Sequence, residues 1–291
     1  MTLWVGVKCV MIKVGAVVLN YKNYCETINC VNSLLKQVEV DLQIVIVENG
    51  SNNESGDALD KAFAGHSRVH IIINSDNLGY ARGNNIGIKW LRESGLDFIL
   101  VCNSDVEFSS THIIAQMQKM CLDKVGVIIP IIRNLDGSIE MRAQYKKRLF
   151  TLRTIKALLA MKKGANGSTT RTVGNHNKAF DYLEPGIQTK YNTITGSVFA
   201  LTPAFFQYYS GLYPRTFLYV EELATLLLIQ KAGLLCAIAQ TDDVIHKGAA
   251  STDASLKSGT SGKKKMVSES AKEVLKLALS PQFMINFLYR K

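Results

Sequence analysis

Phe98-Ile99-Leu100-Val101-Cys102-Asn103-Ser104-Asp105 is the stretch that decides the fold. Five apolar residues in a row read as a strand buried on both faces, as in a parallel sheet covered by helices. The run stops on a polar triplet ending in Asp105. In open α/β sheets ligands gather beyond the carboxyl ends of the strands, so Asp105 stands where chemistry is expected.

Working outward, Val14–Leu19, Gln43–Val47 and Val69–Ile73 repeat the pattern, and end on Asn20-Tyr21, Glu48-Asn49-Gly50-Ser51 and Asn74. Between them Ile28, Val31, Leu34, Leu35 and Val38 recur at helical spacing. That predicts a helix over 25–37, with others over 54–64 and 81–93. The βαβαβαβ order implies a mostly parallel sheet flanked by helices. Asn20, Glu48, Asn49, Asn74 and Asp105 then converge on one edge. One polar residue at a strand end is a turn former; five on one edge suit the base and ribose of a nucleotide.

Downstream the pattern is less regular. A helix over 109–121, a strand at Val125–Ile129 and a turn at Asp136-Gly137 are expected. Residues 146–163 form a basic amphipathic pattern, read as a helix either on a membrane surface or packed on the core or a second subunit. Residues 164–178 read as a loop. A strand at 193–201, a helix over 221–232 ending at Gly233, and a strand at Leu234–Ala239 follow. Residues 255–265 read as a basic linker and 266–280 as a short helix.

The chain has 291 residues, 47% of them hydrophobic, enough for one large domain or two closely fused ones. No apolar run approaches a membrane span. The first twenty residues lack a signal-peptide pattern, and Met11 offers an alternative start. Six scattered cysteines without a CxxC pair indicate a reducing compartment, without disulfides or structural zinc. The net charge of +10 is regional: ten Lys and Arg follow Glu140 up to residue 178, and eight more lie in 254–291. Such stretches suit phosphate, nucleic acid or an anionic membrane, or a merely soluble surface.

Asp105 is the metal-ligand candidate, because hard Mg²⁺ or Mn²⁺ takes carboxylate and phosphate oxygens together. Glu221 and Glu222 follow the apolar Phe217-Leu218-Tyr219-Val220, and a carboxylate beside apolar walls is tuned upward toward general-base work. Adjacent side chains diverge, so one is expected to act on substrate and the other to cap the helix or orient a partner. His246 reads as a further metal ligand or a diphosphate donor, with Lys247 beside it for phosphate. In Asn77–Asn85, Gly79 and Gly83 permit close approach, and Arg82 can meet a diphosphate with its fork of donors; a capped loop with a solvated arginine is the plainer reading.

Taken in order, Val18–Tyr21, Val47–Ser51, Asn77–Asn85, Asn103-Ser104-Asp105, Gly196-Ser197, Phe217–Glu222 and His246-Lys247-Gly248 resemble the inverting glycosyltransferases of family 2, in their bacterial rhamnosyltransferase-like branch. The resemblance implies an A-type α/β glycosyltransferase fold, with a catalytic domain over 11–253 and a basic tail over 254–291. Within the domain, 11–108 would bind the nucleotide-sugar and 109–253 the acceptor. It places Asn20, Glu48 and Asn77 near the nucleotide, with Tyr21, Asn49, Gly79, Arg82, Asn85, Ser104 and Gly196 as further donor contacts. Asp105 would meet the metal, His246 would sit beside metal and diphosphate, and Glu222, or else Glu221, would be the base.

The chain departs from the family's usual pattern at Glu48, Asn103, Ser104 and Ala224. The implied donor is dTDP-rhamnose, with UDP-hexoses behind it. The acceptor is a glycan or lipid-linked glycan of cell-surface polysaccharide assembly. A cytoplasmic enzyme follows, peripheral on the inner membrane, with an anionic surface and a second copy of the chain as further partners and no nucleic acid. Two readings compete. A nucleotidyltransferase would want a Gly-rich loop where Asn20-Tyr21-Lys22-Asn23 stands. An inactive membrane- or nucleic-acid-binding module would explain the basic stretches but not the polar strand ends.

Overall fold

β1 (Ile12–Asn20) runs through the centre of an eight-stranded sheet. Its Val14, Ala16, Val17 and Val18 are wholly buried, as a strand covered on both faces requires. The computed structural model describes residues 12–140, 155–156, 158–162, 185–188, 194–248, 259–282 and 284–285.

α1 (Tyr24–Leu35) follows, opened by the Asn23 side chain accepting from Glu26 N at 3.4 Å, and buries Thr27, Cys30, Val31 and Leu34 on one face. β2 (Val40–Asn49), α2 (Ser55–Phe63), β3 (Val69–Asn74), α3 (Tyr80–Glu93) and β4 (Ile99–Asn103) complete the alternating half. α3 lies against β1 and β2. Gly83 lets it approach, since a Cβ there would stand 2.7 Å from Leu19 Cδ1.

The second half adds β5 (Val106–Phe108), α4 (Ile113–Gln118), β6 (Val125–Ile129), β7 (Ile132–Asn134), β8 (Gly186–Gln188), β9 (Val198–Leu201) and α5 (Pro203–Phe206). Then come α6 (Glu221–Lys231), β10 (Leu235–Ile238), β11 (Val244–His246) and α7 (Gly259–Leu279). The large sheet runs β3-β2-β1-β4-β9-β6-β10-β8, with only β9 and β8 antiparallel to their neighbours. The mostly parallel α/β sheet is therefore present.

A second sheet, β5-β11-β7, escapes the sequence pattern because each strand has three residues. It matters for the site. β11 pairs antiparallel with β5, setting His246 opposite Val106, the residue after Asp105. The turn at Asp136-Gly137 forms as expected, with Gly137 at φ +80° and Gly137 N donating to Asn134 O at 2.9 Å. It returns the chain so that Glu140 N donates to Ile132 O at 3.1 Å.

Residues 259–265, expected as a linker, are the first turns of α7, and the helix is 21 residues long. Ala271, Val274 and Leu277, at helical spacing, are wholly buried, and α7 packs on α6. Ser270 Oγ donates to Leu218 O at 2.9 Å, and Lys231 Nζ donates to Ser280 O at 2.6 Å. α6 is apolar almost all round because it is enclosed between β10 and α7.

Of the basic amphipathic stretch, the described helical residues 155–156 and 158–162 bury Leu158 and Met161, so this part packs on the core. Its remainder, the loop at 164–178, the extension at 1–10 and the first four residues of the linker, 255–258, lie outside the described residues, and among those described no helix is long and apolar enough to cross a membrane.

Candidate active site

Sheet register lines up the strand ends. Asn20 pairs with Glu48, Asn49 with Asn74 and Leu19 with Asn103. These residues then part in what they do. Asn20 is wholly buried, donating to Glu48 Oε1 at 3.4 Å and accepting from Thr27 Oγ1 at 2.7 Å. Glu48 also accepts from Gly50 N at 3.2 Å, from Ser51 N at 3.0 Å and from the Ser51 hydroxyl. Ser51 Oγ accepts from Lys22 N at 2.8 Å. This lattice joins the turns after β1 and β2 beneath the edge. The extra methylene of Glu48 turns it back onto its own turn, and neither Asn20 nor Glu48 lines the cavity above.

Asn49 shapes the entry to α3. Its Nδ2 donates to Asn77 Oδ1 at 2.9 Å, and its Oδ1 accepts from Leu78 N and Asn74 Nδ2, each at 3.2 Å. Gly79 sits at φ +80°, and a Cβ there would lie 2.3 Å from Phe217 O. Tyr80 N closes that contact, donating to Phe217 O at 2.7 Å. The entry to α3 and the segment before Glu221 are thus one wall.

The cavity is about 670 Å³. Leu19, Tyr21, Phe217, Leu218, Tyr219 and Met266 give its apolar side, and Asn49, Asn77 and Gly79 its entry loop. Asn103, Ser104, Glu140, Gly196, Ser197, Glu221, Glu222 and His246 give its polar side. Arg82 is exposed and does not line it. Asn85 clamps Leu212 instead, accepting from its N at 2.7 Å and donating to its O at 2.8 Å.

Tyr219 and Val220 both hold left-handed backbone, at φ +72° and +71°. For a β-branched residue that is a strained conformation, of order 1–3 kcal/mol. It turns the chain sharply into α6, and both Glu221 and Glu222 line the cavity. Neither caps the helix, whose N-cap, Val220, is without a side-chain hydrogen bond. Of the two roles expected for the second carboxylate, capping the helix or orienting a partner, the cap is not the one taken. Glu221 is 7% exposed, and its Oε1 takes no hydrogen bond. Burial, and then the charge of Glu222, hold its carboxyl well above the ordinary range. Burial also raises the Glu222 carboxyl, aided by the charge of Glu140. Gly196 gives Glu222 room, because a Cβ there would meet Glu222 Oε1 at 2.4 Å. Tyr80 fixes that neighbour by donating its hydroxyl to Gly196 O at 2.8 Å.

Asp105 is 4% exposed, and its Oδ1 takes no hydrogen bond. His246 Nε2 stands 3.5 Å from it, while His246 Nδ1 contacts Glu140 Oε1. Burial lowers the imidazole's proton affinity, but the two carboxylates outweigh it and raise the pKa to about 10. A hard divalent cation would take the place of the imidazole's Nε2 proton, and the Asp105 oxygen that takes no hydrogen bond, with Nε2 beside it, then fits such an ion. Among the described residues no group of three or more His, Cys, Asp or Glu side chains is arranged to hold a metal. Further ligands would therefore come from phosphate and water.

Lys247 does not face the cavity. Its Nζ pairs with Glu26 at 3.1 Å and Glu107 at 3.2 Å, so the expected phosphate contact is replaced by a surface ion-pair triad. Glu140 and Tyr80 were not among the expected site residues. Glu140 had one signal, as the single acid heading a run of ten basic residues. Tyr80 had none beyond its place in the Asn77–Asn85 motif.

Comparison with known proteins gives a consistent result. Residues 16–182, more than half of the chain, match the family described as Glycosyl transferase family 2. The chain is 27% identical over 122 residues to the low-salt glycan biosynthesis hexosyltransferase Agl10 of Haloferax volcanii, covering 42% of this chain and 37% of that protein. It is 26% identical over 125 residues to the glycosyltransferase GlyG of Streptococcus pneumoniae, covering 43% of this chain and 40% of that one. The matches thus span less than half the length of these curated relatives.

Among solved structures, GalNAc-T7 with UDP, GalNAc and Mn²⁺ superposes with a TM-score of 0.57 at 14% identity, over 83% of this chain and 44% of that one. Residues 1–349 of S. aureus TarS give 0.50 at 12% identity, over 94% and 72%. These likenesses show the A-type α/β glycosyltransferase fold.

Proposed function

The chain belongs to glycosyl transferase family 2, and from that premise we propose that it moves a sugar from a nucleoside-diphosphate donor to a glycan or lipid-linked glycan hydroxyl, with inversion. The observation that carries this reading is a set of acidic groups in unlike settings at one cavity. His246, Glu221 and Glu222 line it, the two glutamates with raised carboxyls, and the buried Asp105, which does not itself line it, sets an oxygen that takes no hydrogen bond 3.5 Å from His246 Nε2.

Glu222 takes the proton of the acceptor hydroxyl, and burial, which raises its carboxyl, makes it a stronger proton acceptor than an exposed glutamate. The acceptor oxygen then bonds to the anomeric carbon on the face opposite the diphosphate. The bond from that carbon to the diphosphate oxygen breaks, and the diphosphate leaves with the electron pair. Asp105 and His246 would hold Mg²⁺ or Mn²⁺, which when bound offsets the charge of the departing diphosphate. Glu221, more strongly raised by burial and by the charge of Glu222, is the carboxyl of the pair better suited to hold a proton and donate to the ligand. The apolar side of the cavity, with Tyr21 and Tyr219, suits a nucleoside base.

Lys263, Lys264 and Lys265 are exposed on α7 just before Met266, which lines the cavity. That placement supports a cytoplasmic enzyme working against an anionic membrane face, where each such residue adds about 1 kcal/mol of attraction. The donors to test first are dTDP-rhamnose and UDP-hexoses, both implied by the motif resemblance; a hexose as the sugar also agrees with the Haloferax hexosyltransferase.

The test is donor hydrolysis across dTDP-, UDP- and GDP-sugars, with Mn²⁺, Mg²⁺ or chelator. One nucleotide class is expected to turn over only with metal, and Asp105→Ala is expected to lower that turnover at least about 100-fold. Metal-dependent turnover surviving intact in Asp105→Ala would remove the metal assignment.

A further inference from the structure

We propose that Glu140 is a positioning residue: it holds the His246 imidazole by Nδ1 and ties it, through Ser197, to the wall that carries Glu222. The inference rests on the reading of Asp105 and His246 as the cation-holding pair, and it goes beyond that reading by adding a residue and a physical link.

The placement is built by the small sheet. β11 pairs with β7, setting His246 opposite Asn134, and the turn after β7 brings Glu140 back along the same strand. Both carboxylate oxygens of Glu140 are engaged. Oε1 contacts His246 Nδ1, and Oε2 accepts from Ser197 Oγ at 2.9 Å. A side chain so engaged is poorly placed to be a ligand itself. It is well placed to fix the ring of one, because a carboxylate on one imidazole nitrogen sets the tautomer and rotation that present the other. Partners of this kind are typically worth 10–100-fold in metal affinity. Here the other nitrogen, Nε2, is the one 3.5 Å from Asp105 Oδ1.

The second half of the link is equally specific. Ser197 follows Gly196, the residue whose missing Cβ leaves space for Glu222 Oε1. Ser197 O also accepts from Asn103 N at 2.8 Å, at the end of β4. Glu140 therefore spans from the His246 ring to the segment that bounds both the base and the Asn103–Asp105 turn. A surface ion pair would make no such connection; the Glu140 side chain is 18% exposed and lines the cavity.

The test is Mn²⁺ titration of the full chain, read by electron paramagnetic resonance, with UDP or dTDP present, whichever the wild-type protein retains. Glu140→Ala is expected to weaken Mn²⁺ binding 10–100-fold. Glu140→Gln keeps an oxygen that can accept from Nδ1 and is expected to recover most of that loss. Asp243→Ala, which breaks the 2.7 Å pair with Arg133 just before β11 and leaves the Arg133 bond to Gly137 O in place, serves as the control for general loosening. It is expected to lower the melting temperature while Mn²⁺ affinity stays within twofold of wild type. Glu140→Ala within twofold of wild type, while Asp105→Ala abolishes binding, overturns the role of Glu140 and leaves the metal pair standing. Equal weakening by Glu140→Ala and Asp243→Ala also overturns it. No Mn²⁺ binding by the wild-type protein removes the metal pair and this proposal with it.

Discussion

Glu48 and Asp105 are both buried carboxylates at one edge of one sheet, and their surroundings are opposite. Glu48 accepts hydrogen bonds from Asn20, from the Gly50 and Ser51 backbone and from the Ser51 hydroxyl. Asp105 has an oxygen that accepts none. The contrast extends to their regions. Around Glu48, polar side chains close turns on one another, as Asn49 does for Asn74, Asn77 and Leu78. Around Asp105, acidic groups crowd a cavity with oxygens left over, as at Glu221. A buried polar group left without a partner costs about 1–3 kcal/mol, so such groups persist where a ligand completes them. Polarity at a strand end therefore has two meanings, and only the hydrogen-bond inventory separates them.

The sharpest way to test the contrast is to neutralise one carboxylate from each region. Glu222→Gln keeps shape and removes the proton acceptor. Transfer is expected to fall 10²–10⁴-fold in kcat, with donor KM within a few fold, read by steady-state kinetics on a purified acceptor. Full activity in Glu222→Gln, with loss in Glu221→Gln, would move the base to Glu221. Glu48→Ala should do the reverse. It strips the acceptor from four buried donors, and the expected outcome is a stability loss of about 2–4 kcal/mol in urea unfolding, with kcat of the folded fraction changed less than about threefold. A large kcat effect without a stability effect would place Glu48 with Asp105 and break the contrast.

The first region was legible because its strands are long, apolar and separated by helices of clear period. A parallel sheet then put the strand ends on one edge, and with it came the convergence of Asn20, Glu48, Asn49 and Asn74. Whether each faced a ligand or a neighbouring turn was not legible, because Glu and Asn serve both ends equally. In the second region the decisive contacts are made by three-residue strands, whose pairing is set by partners and not by pattern. The approach of His246 to Asp105 depends on that pairing. Left-handed backbone at Tyr219 and Val220 was equally invisible, since neither residue favours it and tertiary packing imposes it. At α7 a start rich in Ser, Gly and Lys reads as linker, yet burial of Ala271, Val274 and Leu277 further along outweighs that local preference.

The smallest expected effect bears on the same contrast through pH. The folded protein holds the Glu221 proton to a higher pH than the unfolded chain, whose carboxyl has the ordinary value of 4.5. Within that window the native state carries more protons than the unfolded one, so stability falls as pH rises through it. Below the ordinary value both states are protonated and nothing is lost. Each unit of elevation amounts to about 1.4 kcal/mol once both states are ionised.

Glu221→Gln cannot ionise. Its melting temperature should match wild type near pH 4.5 and exceed it by pH 8, by about 2–4 °C per kcal/mol in a chain of this size. Glu222 is raised in the same direction, so the variant's own stability curve should flatten only in part. The position of Glu221 in the first turn of α6 works against the effect, since a helix N-terminus favours negative charge. Burial beside a second carboxylate is the larger influence. A gap that stays constant between pH 4.5 and pH 8 would mean that Glu221 titrates as an ordinary, compensated carboxylate. It would then belong with Glu48, and the cavity would hold one poised acid where the proposal needs two.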